Sequence, residues 1–230
     1  MREAIIVAAG RGRRMGNSLP KQFLELGGKP VLVHSVQRFL KESSFAQVIV
    51  VVPQGYLEYS YQQVLGPWLN LENLVVVEGA AERQESVFHG LMVCGKDCKS
   101  VCIHDGARPL VSSNQIKEVT EAGENYGAAT LAVPLQDTLK EIDETGWVVR
   151  TLPRDRYRLI QTPQCFNVPL LWRAHNMAKQ EGLSVTDDAS MLEFIGETVK
   201  TVSGSYRNLK ITTPEDLALA EVLLELEMNN

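Results

Sequence analysis

A doubly wound, mostly parallel α/β sheet is the fold this sequence predicts, on three observations. Short β-branched runs alternate with longer segments of helical period. The runs are apolar throughout instead of alternating, as strands covered on both faces are. Their order, strand then helix then strand, is the one that winds a parallel sheet.

Each element follows from its own pattern. The runs 4–7, 48–52, 74–77, 101–103 and 130–133 read as buried strands, and 30–41, 56–65, 82–93 and 114–126 as the amphipathic helices between them. The alternation stops at 135–161, where acidic and basic residues surround Gly146 and two β-prone pieces, 138–142 and 147–152. That stretch predicts a protruding β-arm within one domain spanning 1–230. Beyond it come helices at 169–180 and 187–194, a strand near 199–202, another ending at Lys210 and Ile211, and a last helix from Pro214. Thr213 suits a cap, Pro214 the first helical position, and Glu215 and Asp216 the positive end of the helix dipole.

Composition narrows the classes of function. A hydrophobic content of 44% is enough for a sizeable core. With 23 basic against 28 acidic residues and a net charge of −5, the chain lacks the basic excess of a general nucleic-acid or acidic-membrane binder. Any anion site must be a local concentration of positive charge. The longest apolar stretches are strand-length, well below the ~20 residues of a membrane span. Cys94, Cys98, Cys102 and Cys165 make no disulfide framework for a chain of this size, and no charged-then-apolar leader opens it, so a reducing cytoplasm is the expected compartment. Cys94, Cys98 and Cys102 recur every four residues but run from a helix end through a turn into a strand, with no histidine at a zinc spacing. This argues against a structural metal there.

The first strand leads into AAGRGRRMG (8–16) and then NSLPKQF (17–23). Small residues let backbone approach a ligand, and Arg11, Arg13, Arg14 and Lys21 gather positive charge where open α/β sheets bind ligands. Polyphosphate is the natural guest. The loop is not GxGxxG, because Met15 occupies the third glycine position and the second strand ends in Val52-Pro53-Gln54 without an acid for a ribose. A Walker loop is also absent, since no Gly-Lys-Ser/Thr follows. A tight turn with solvated arginines would explain any one of these residues but not the cluster.

This loop, with Pro20-Lys21-Gln22, resembles the signature of nucleoside-triphosphate transferases, and the later segments narrow the resemblance to the 2-C-methyl-D-erythritol 4-phosphate cytidylyltransferase family. Those segments are GAAERQESV (79–87), HDGARP (104–109), AVPLQDTLK (132–140), RTLPRDRYRLIQTPQCF (150–166), TDDASMLEFIG (186–196) and NLKITTPEDLALAE (208–221). The resemblance implies a Rossmann-like nucleotidyltransferase sheet. It implies CTP binding by Ala8, Ala9, Gly10, Gly12, Arg14, Lys21, Gly79, Ser86, Asp105 and Gly106, with Asp105 holding Mg2+ or another divalent cation. Methylerythritol phosphate would meet Asp105, Arg108, Thr138, Arg154, Thr162, Thr186 and Lys210, and Arg14, Lys21 and Lys210 would be catalytic. A homodimer through the arm is implied as well, with Arg154 and Thr162 serving the partner's site.

Blander readings of these residues stay open. Asp105 could simply pair with Arg108; Ser86 could be a surface helix hydroxyl; Thr186 or Asp187 could be a plain N-cap; the arm could be a charged, solvated hairpin. His104 reads as scaffolding. Ala80 stands where the family has a second glycine, which is harmless only if its φ is negative. A nearby rival activity is ribitol 5-phosphate cytidylyl transfer, whose loop tends to read AGGxGTRMG and whose later motif TDAC; AAGRGRRMG and TDDAS favour methylerythritol phosphate. A non-catalytic nucleotide-binding regulator is disfavoured by the presence of Lys21, Asp105 and Lys210, and a nicotinamide-dependent dehydrogenase by the missing glycine.

Overall fold

The computed structural model describes residues 1–10 and 19–229. Its central sheet has seven strands in the order β11-β7-β10-β6-β1-β4-β5. These are β1 (Arg2–Val7), β4 (Phe45–Val52), β5 (Leu74–Glu78), β6 (Ser100–Asp105), β7 (Ala128–Pro134), β10 (Arg158–Asn167) and β11 (Lys200–Ser203). All neighbouring pairs are parallel except those made by β10, which runs antiparallel to both β6 and β7. A short hairpin, β2 (Glu25–Leu26) with β3 (Lys29–Pro30), precedes α1 (Val31–Leu40).

Alternate strand residues feed two cores. Ala4, Ile6, Val48 and Val50 pack with Leu32, Val36 and Phe39 of α1 and Ile116 and Val119 of α4 (Ser113–Tyr126). Ile5, Ile49, Val51 and Ile103 pack on the opposite face, against Val87 and Leu91 of α3 (Arg83–Met92), Leu171 and Ala174 of α5 (Val168–Gln180) and Met191 of α6 (Asp188–Phe194). Each large aliphatic side chain so covered contributes about 1.5–3 kcal/mol. Covering on both faces is why these strands carry no polar alternation.

The last helix, α7 (Pro214–Met228), starts as its sequence predicts, with a capping box in which Thr213 Oγ1 accepts from Asp216 N and Asp216 accepts from Thr213 N. The helical segment after β4 comprises α2 (Leu57–Tyr59) and a π-helical stretch, Ser60–Leu65. Two expectations are corrected. The segment ending at Lys210 and Ile211 is not a strand; Ile211 N instead donates to Ala107 O at 2.9 Å, docking an irregular chain onto the β6 loop. The stretch expected to leave the sheet as far as Gln161 rejoins it earlier, because Arg158–Gln161 already pair with β7 as the start of β10. Between these points β8 (Lys140–Ile142) and β9 (Val148–Thr151) form a separate antiparallel hairpin.

The expectation of no disulfide framework is narrowed at one point. Cys102 and Cys165 face each other across the antiparallel β6–β10 register and are joined, while Cys94 and Cys98 are free thiols. Among the described residues no helix is long and apolar enough to cross a membrane.

Candidate active site

The chain runs outward from β1 to β4 and β5, then returns to β6 on the other side of β1. That reversal opens a crevice beyond the carboxyl ends of β1 and β6. Ala8 N donates to Val51 O at 2.7 Å and Gly106 N to Val7 O at 2.8 Å, so both loops leave the sheet tied to it. The Gln22 side-chain amide donates to Ala8 O and, at 3.1 Å, to Gly10 O, which brings Lys21 beside the loop. A side chain at Gly106 would lie 3.0 Å from both Ala8 Cβ and Leu32 Cδ1, so its neighbours would have to give way at this close crossing. No residue other than glycine has a positive φ among those described, so Ala80 is accommodated without strain.

Asp105 sits at the focus, 7% exposed. Its Oδ1 lies 3.3 Å from Arg83 Nε, and its Oδ2 lies 2.8 Å from Lys210 Nζ and 3.5 Å from Arg108 Nε. Burial works against the carboxylate, but Arg83, Lys210 and Arg108 outweigh it and hold Asp105 far below the usual carboxylate range. Arg83 also donates from Nη1 to Asp188 Oδ2 at 2.8 Å. Burial opposes its charge, yet Asp188 and Asp105 together raise its pKa. Lys21 Nζ donates to Ile211 O at 2.6 Å, bringing a fourth cation to the cluster. Four cations, Lys21, Arg83, Arg108 and Lys210, thus gather around Asp105 in a chain whose net charge is −5.

The supports reach across the sequence. Asp105 N donates to Thr162 Oγ1 at 2.9 Å, and the same oxygen lies 3.2 Å from His104 Nδ1, whose ring Nε2 lies 2.9 Å from Arg108 O. A carbonyl only accepts, so Nε2 carries a proton, and in the neutral ring Nδ1 accepts from the Thr162 hydroxyl. Burial lowers the His104 pKa to about 4, which fits that state. Asn208 donates to Thr162 O at 2.9 Å and accepts Arg108 Nη1 on its carbonyl at 2.7 Å, which pins the segment that delivers Lys210. Gln164 is fully buried; its amide donates to Thr130 Oγ1 and Asp187 Oδ2, and its carbonyl accepts Asp188 N and Ala189 N. It therefore seats the start of α6, and with it Asp188, on β10.

Two cavities meet at this cluster. One, of about 310 Å³, is lined by Ala8, Ala9, Gly10, Lys21, Ser86 and Lys210 among others; the second, of about 430 Å³, by Arg108, Thr162, Gln164, Thr186 and Asp187 among others. Arg83, Asp105 and Lys210 border both.

The structure thus brings together Ala8, Ala9, Gly10, Lys21, Gly79, Ser86, Asp105, Gly106, Arg108, Thr162, Thr186 and Lys210. Gly79 packs beneath the first cavity, where a side chain would meet Ser86 Oγ at 2.7 Å. Ser86 is fully buried and accepts from Ala80 N at 3.0 Å while donating to Glu82 O at 2.9 Å, so it is no surface hydroxyl and shapes the 79–82 turn. Asp187, not Thr186, caps α6. Thr162 lies against Asp105 of its own chain. Thr138 and Arg154 are exposed and line neither cavity, Arg154 donating to Gln136 O. Gly12 and Arg14, with Arg11 and Arg13, lie outside the described residues. Sequence reasoning passed over Arg83, Asp188 and Gln164. One local signal for Arg83 was available: a cation in the first turn of a helix opposes the helix dipole, which marks it as placed for something else.

Comparison with known proteins matches nearly the whole chain. The profile of the 2-C-methyl-D-erythritol 4-phosphate cytidylyltransferase family matches residues 3–226. Proteins of that name from Pelotomaculum thermopropionicum and Caldanaerobacter subterraneus are each 44% identical, over 96% of this chain and 93% and 97% of their own lengths. The crystal structure of 4-diphosphocytidyl-2C-methyl-D-erythritol synthase from Anaerococcus prevotii superimposes with a TM-score of 0.87 at 32% identity, covering 98% of this chain and 96% of that one. Matched from β1 to α7, the chain belongs to the 2-C-methyl-D-erythritol 4-phosphate cytidylyltransferase family.

Proposed function

We propose that the chain transfers the cytidylyl group of CTP to 2-C-methyl-D-erythritol 4-phosphate, giving 4-diphosphocytidyl-2-C-methyl-D-erythritol and pyrophosphate. The observation that carries this reading is the junction of two cavities at Asp105, Arg83 and Lys210. The cavity beside Ala8–Gly10 and Lys21 suits the triphosphate, and the one beside Arg108, Thr162 and Thr186 suits the sugar phosphate. Lys210 then faces the α-phosphorus from the border between them.

In the reaction a phosphate oxygen of the second substrate attacks that phosphorus, and the bond to the bridging oxygen of the β-phosphate breaks. A phosphomonoester has a second pKa of about 6, so at neutral pH the nucleophile is already mostly ionised. A general base is unnecessary, and His104, buried and weakly basic, is not one. Repulsion between two polyanions is the obstacle, and cations fixed before the substrates arrive are the remedy. Lys21, Arg83, Arg108 and Lys210 supply them. Nη2 of Arg83 is buried with no hydrogen-bond partner among the described residues. Arg14, outside the described residues, would add a further cation from the loop.

A divalent cation such as Mg2+ would supply positive charge on the triphosphate oxygens when bound. Asp105 fits as its holder, being ionised and at a strand end, since such ions bind through one or two carboxylates plus substrate phosphates. The arm is read as a dimer contact. Ile142, Trp147, Val148 and Val149 expose 61%, 76%, 59% and 59% of their surfaces there, an apolar patch suited to a second copy. Thr138 and Arg154 would then serve the partner's sugar-phosphate cavity, within a single domain that works in the cytoplasm beside its nucleotide.

The test supplies Mg2+ and CTP, offers methylerythritol phosphate and ribitol phosphate in parallel, and measures pyrophosphate. Release with the first and not the second is expected. Release with neither would remove the enzymatic reading, and preference for ribitol phosphate would reassign the substrate.

A further inference from the structure

Far from this crevice, at the amino end of β1 and β6, three side chains with metal-binding atoms converge. Glu3 of β1, Cys94 just beyond α3 and Cys98 in the turn before β6 place their ligand atoms within 4.8 Å of one another. Cys102, the third member of the four-residue recurrence, turns away to Cys165. The third group with a metal-binding atom is not a cysteine or histidine of the same run but a glutamate 91 residues before Cys94 in the chain.

Glu3 is 3% exposed. Its Oε1 accepts from Gly95 N at 3.0 Å, which fixes the carboxylate, while Oε2 is buried with no hydrogen-bond partner among the described residues. A buried carboxylate oxygen without a partner is costly. The nearby Met1 ammonium donates to Asp97 O at 3.1 Å. Cys98 is 7% exposed and Cys94 half-buried, so one side remains open to an entering ion.

We propose that Glu3, Cys94 and Cys98 bind a thiophilic divalent cation of the zinc class, with water in the fourth position. Two thiolates and a carboxylate are a donor set that zinc accepts, and bonds of about 2.0–2.3 Å set tetrahedral ligand atoms about 3.3–3.8 Å apart, within reach of the observed cluster. Binding releases the two thiol protons, so affinity rises with pH. The ion ties the start of β1 to the end of α3 and the entry to β6, at the opposite end of the strands that carry Ala8 and Asp105. It is a structural clasp, separate from the catalytic cation.

The experiment titrates Co2+ alone into the full, reduced chain and follows thiolate-to-cobalt charge-transfer absorption in the near ultraviolet. Oxygen ligands at Asp105 cannot produce that band. One equivalent is expected to saturate it, Zn2+ to displace it, and Cys94→Ser or Cys98→Ser to abolish it with turnover intact. Glu3→Gln should weaken cobalt binding about tenfold or more, since losing even an outer-shell partner costs that much. If a cysteine variant does not fold, the wild-type melting midpoint with and without Zn2+ decides, a rise being expected. No charge-transfer band, a band that survives both cysteine variants, or an unmoved midpoint would overturn the proposal.

Discussion

The carboxyl end of β6 and the stretch 135–161, which holds the arm and its return into β10, are both rich in charge, but they hold it in opposite ways. At β6, Asp105 is met by Arg83, Arg108 and Lys210, from three separate places in the sequence, and Arg83 is held in turn by Asp188. On the arm the pairing is local and exposed. Arg150 meets Glu141 across the hairpin, and Arg158 donates to the carbonyls of Asp155 and Tyr157. Long-range pairing in a buried place fixes where a charge stands before any ligand arrives. Local pairing in water does not. One region is preorganised, and the other is held only by exposed local pairs.

The comparison breaks most visibly if the focus is removed. Asp105→Asn is expected to lower turnover by about a hundredfold or more and stability by on the order of 3 kcal/mol, because it leaves buried cations unpaired; steady-state kinetics and urea unfolding read the two effects. Lys210→Ala and Lys21→Ala should each cost about a hundredfold in turnover while the far-ultraviolet spectrum stays unchanged. Near-native rates in either would remove that lysine from the machinery.

Acid titration tests the scaffold beneath Asp105. His104 is held neutral at a folded pKa of about 4 against an ordinary 6.5. Between those values the unfolded chain binds the proton and the folded chain does not, so stability falls as pH drops through that window, by roughly 3 kcal/mol. His34 and His175, also lowered first by burial, act in the same direction. Asp105 adds little slope over most of that window, because its contribution starts to be lost only as the pH nears the ordinary carboxylate value of 3.8, and goes on being lost in stronger acid. His104→Gln should flatten the decline; an unchanged slope would contradict the assigned state of the ring.

On the arm, Arg154→Ala should raise KM for methylerythritol phosphate and leave KM for CTP alone. Mixing Arg154→Ala with Lys210→Ala subunits sharpens the contrast. If the arm serves the partner, a mixed dimer regains one intact site and activity returns; if it serves its own chain, mixing restores nothing. The smallest effect is expected from Arg150→Ala, which should leave the melting midpoint unmoved, as exposed pairs do.

The strands β1, β4, β5, β6 and β7 were legible because covering on both faces leaves continuous apolar runs. β10 was not, since Gln161, Thr162, Pro163 and Gln164 interrupt it with residues that sequence patterns assign to loops. They are buried because their polar atoms are used: Gln161 holds Asn208 and Ser205, Thr162 holds Asp105, and Gln164 seats α6. The site divides likewise. The anion loop and Lys21 follow from local charge and small residues, whereas Lys210 was singled out only through the family resemblance. Arg83 and Asp188 escaped because their meaning lies in a pairing across 105 residues of chain.

The most direct measurement is phosphorus NMR of CTP and methylerythritol phosphate turning over with Mg2+ and this enzyme. Attack at the α-phosphorus should yield two coupled diphosphodiester resonances and free pyrophosphate in equal amounts, and Asp105→Asn should suppress both. Formation of CDP and inorganic phosphate, or consumption of CTP unaffected by loss of Asp105, would contradict transfer at this junction.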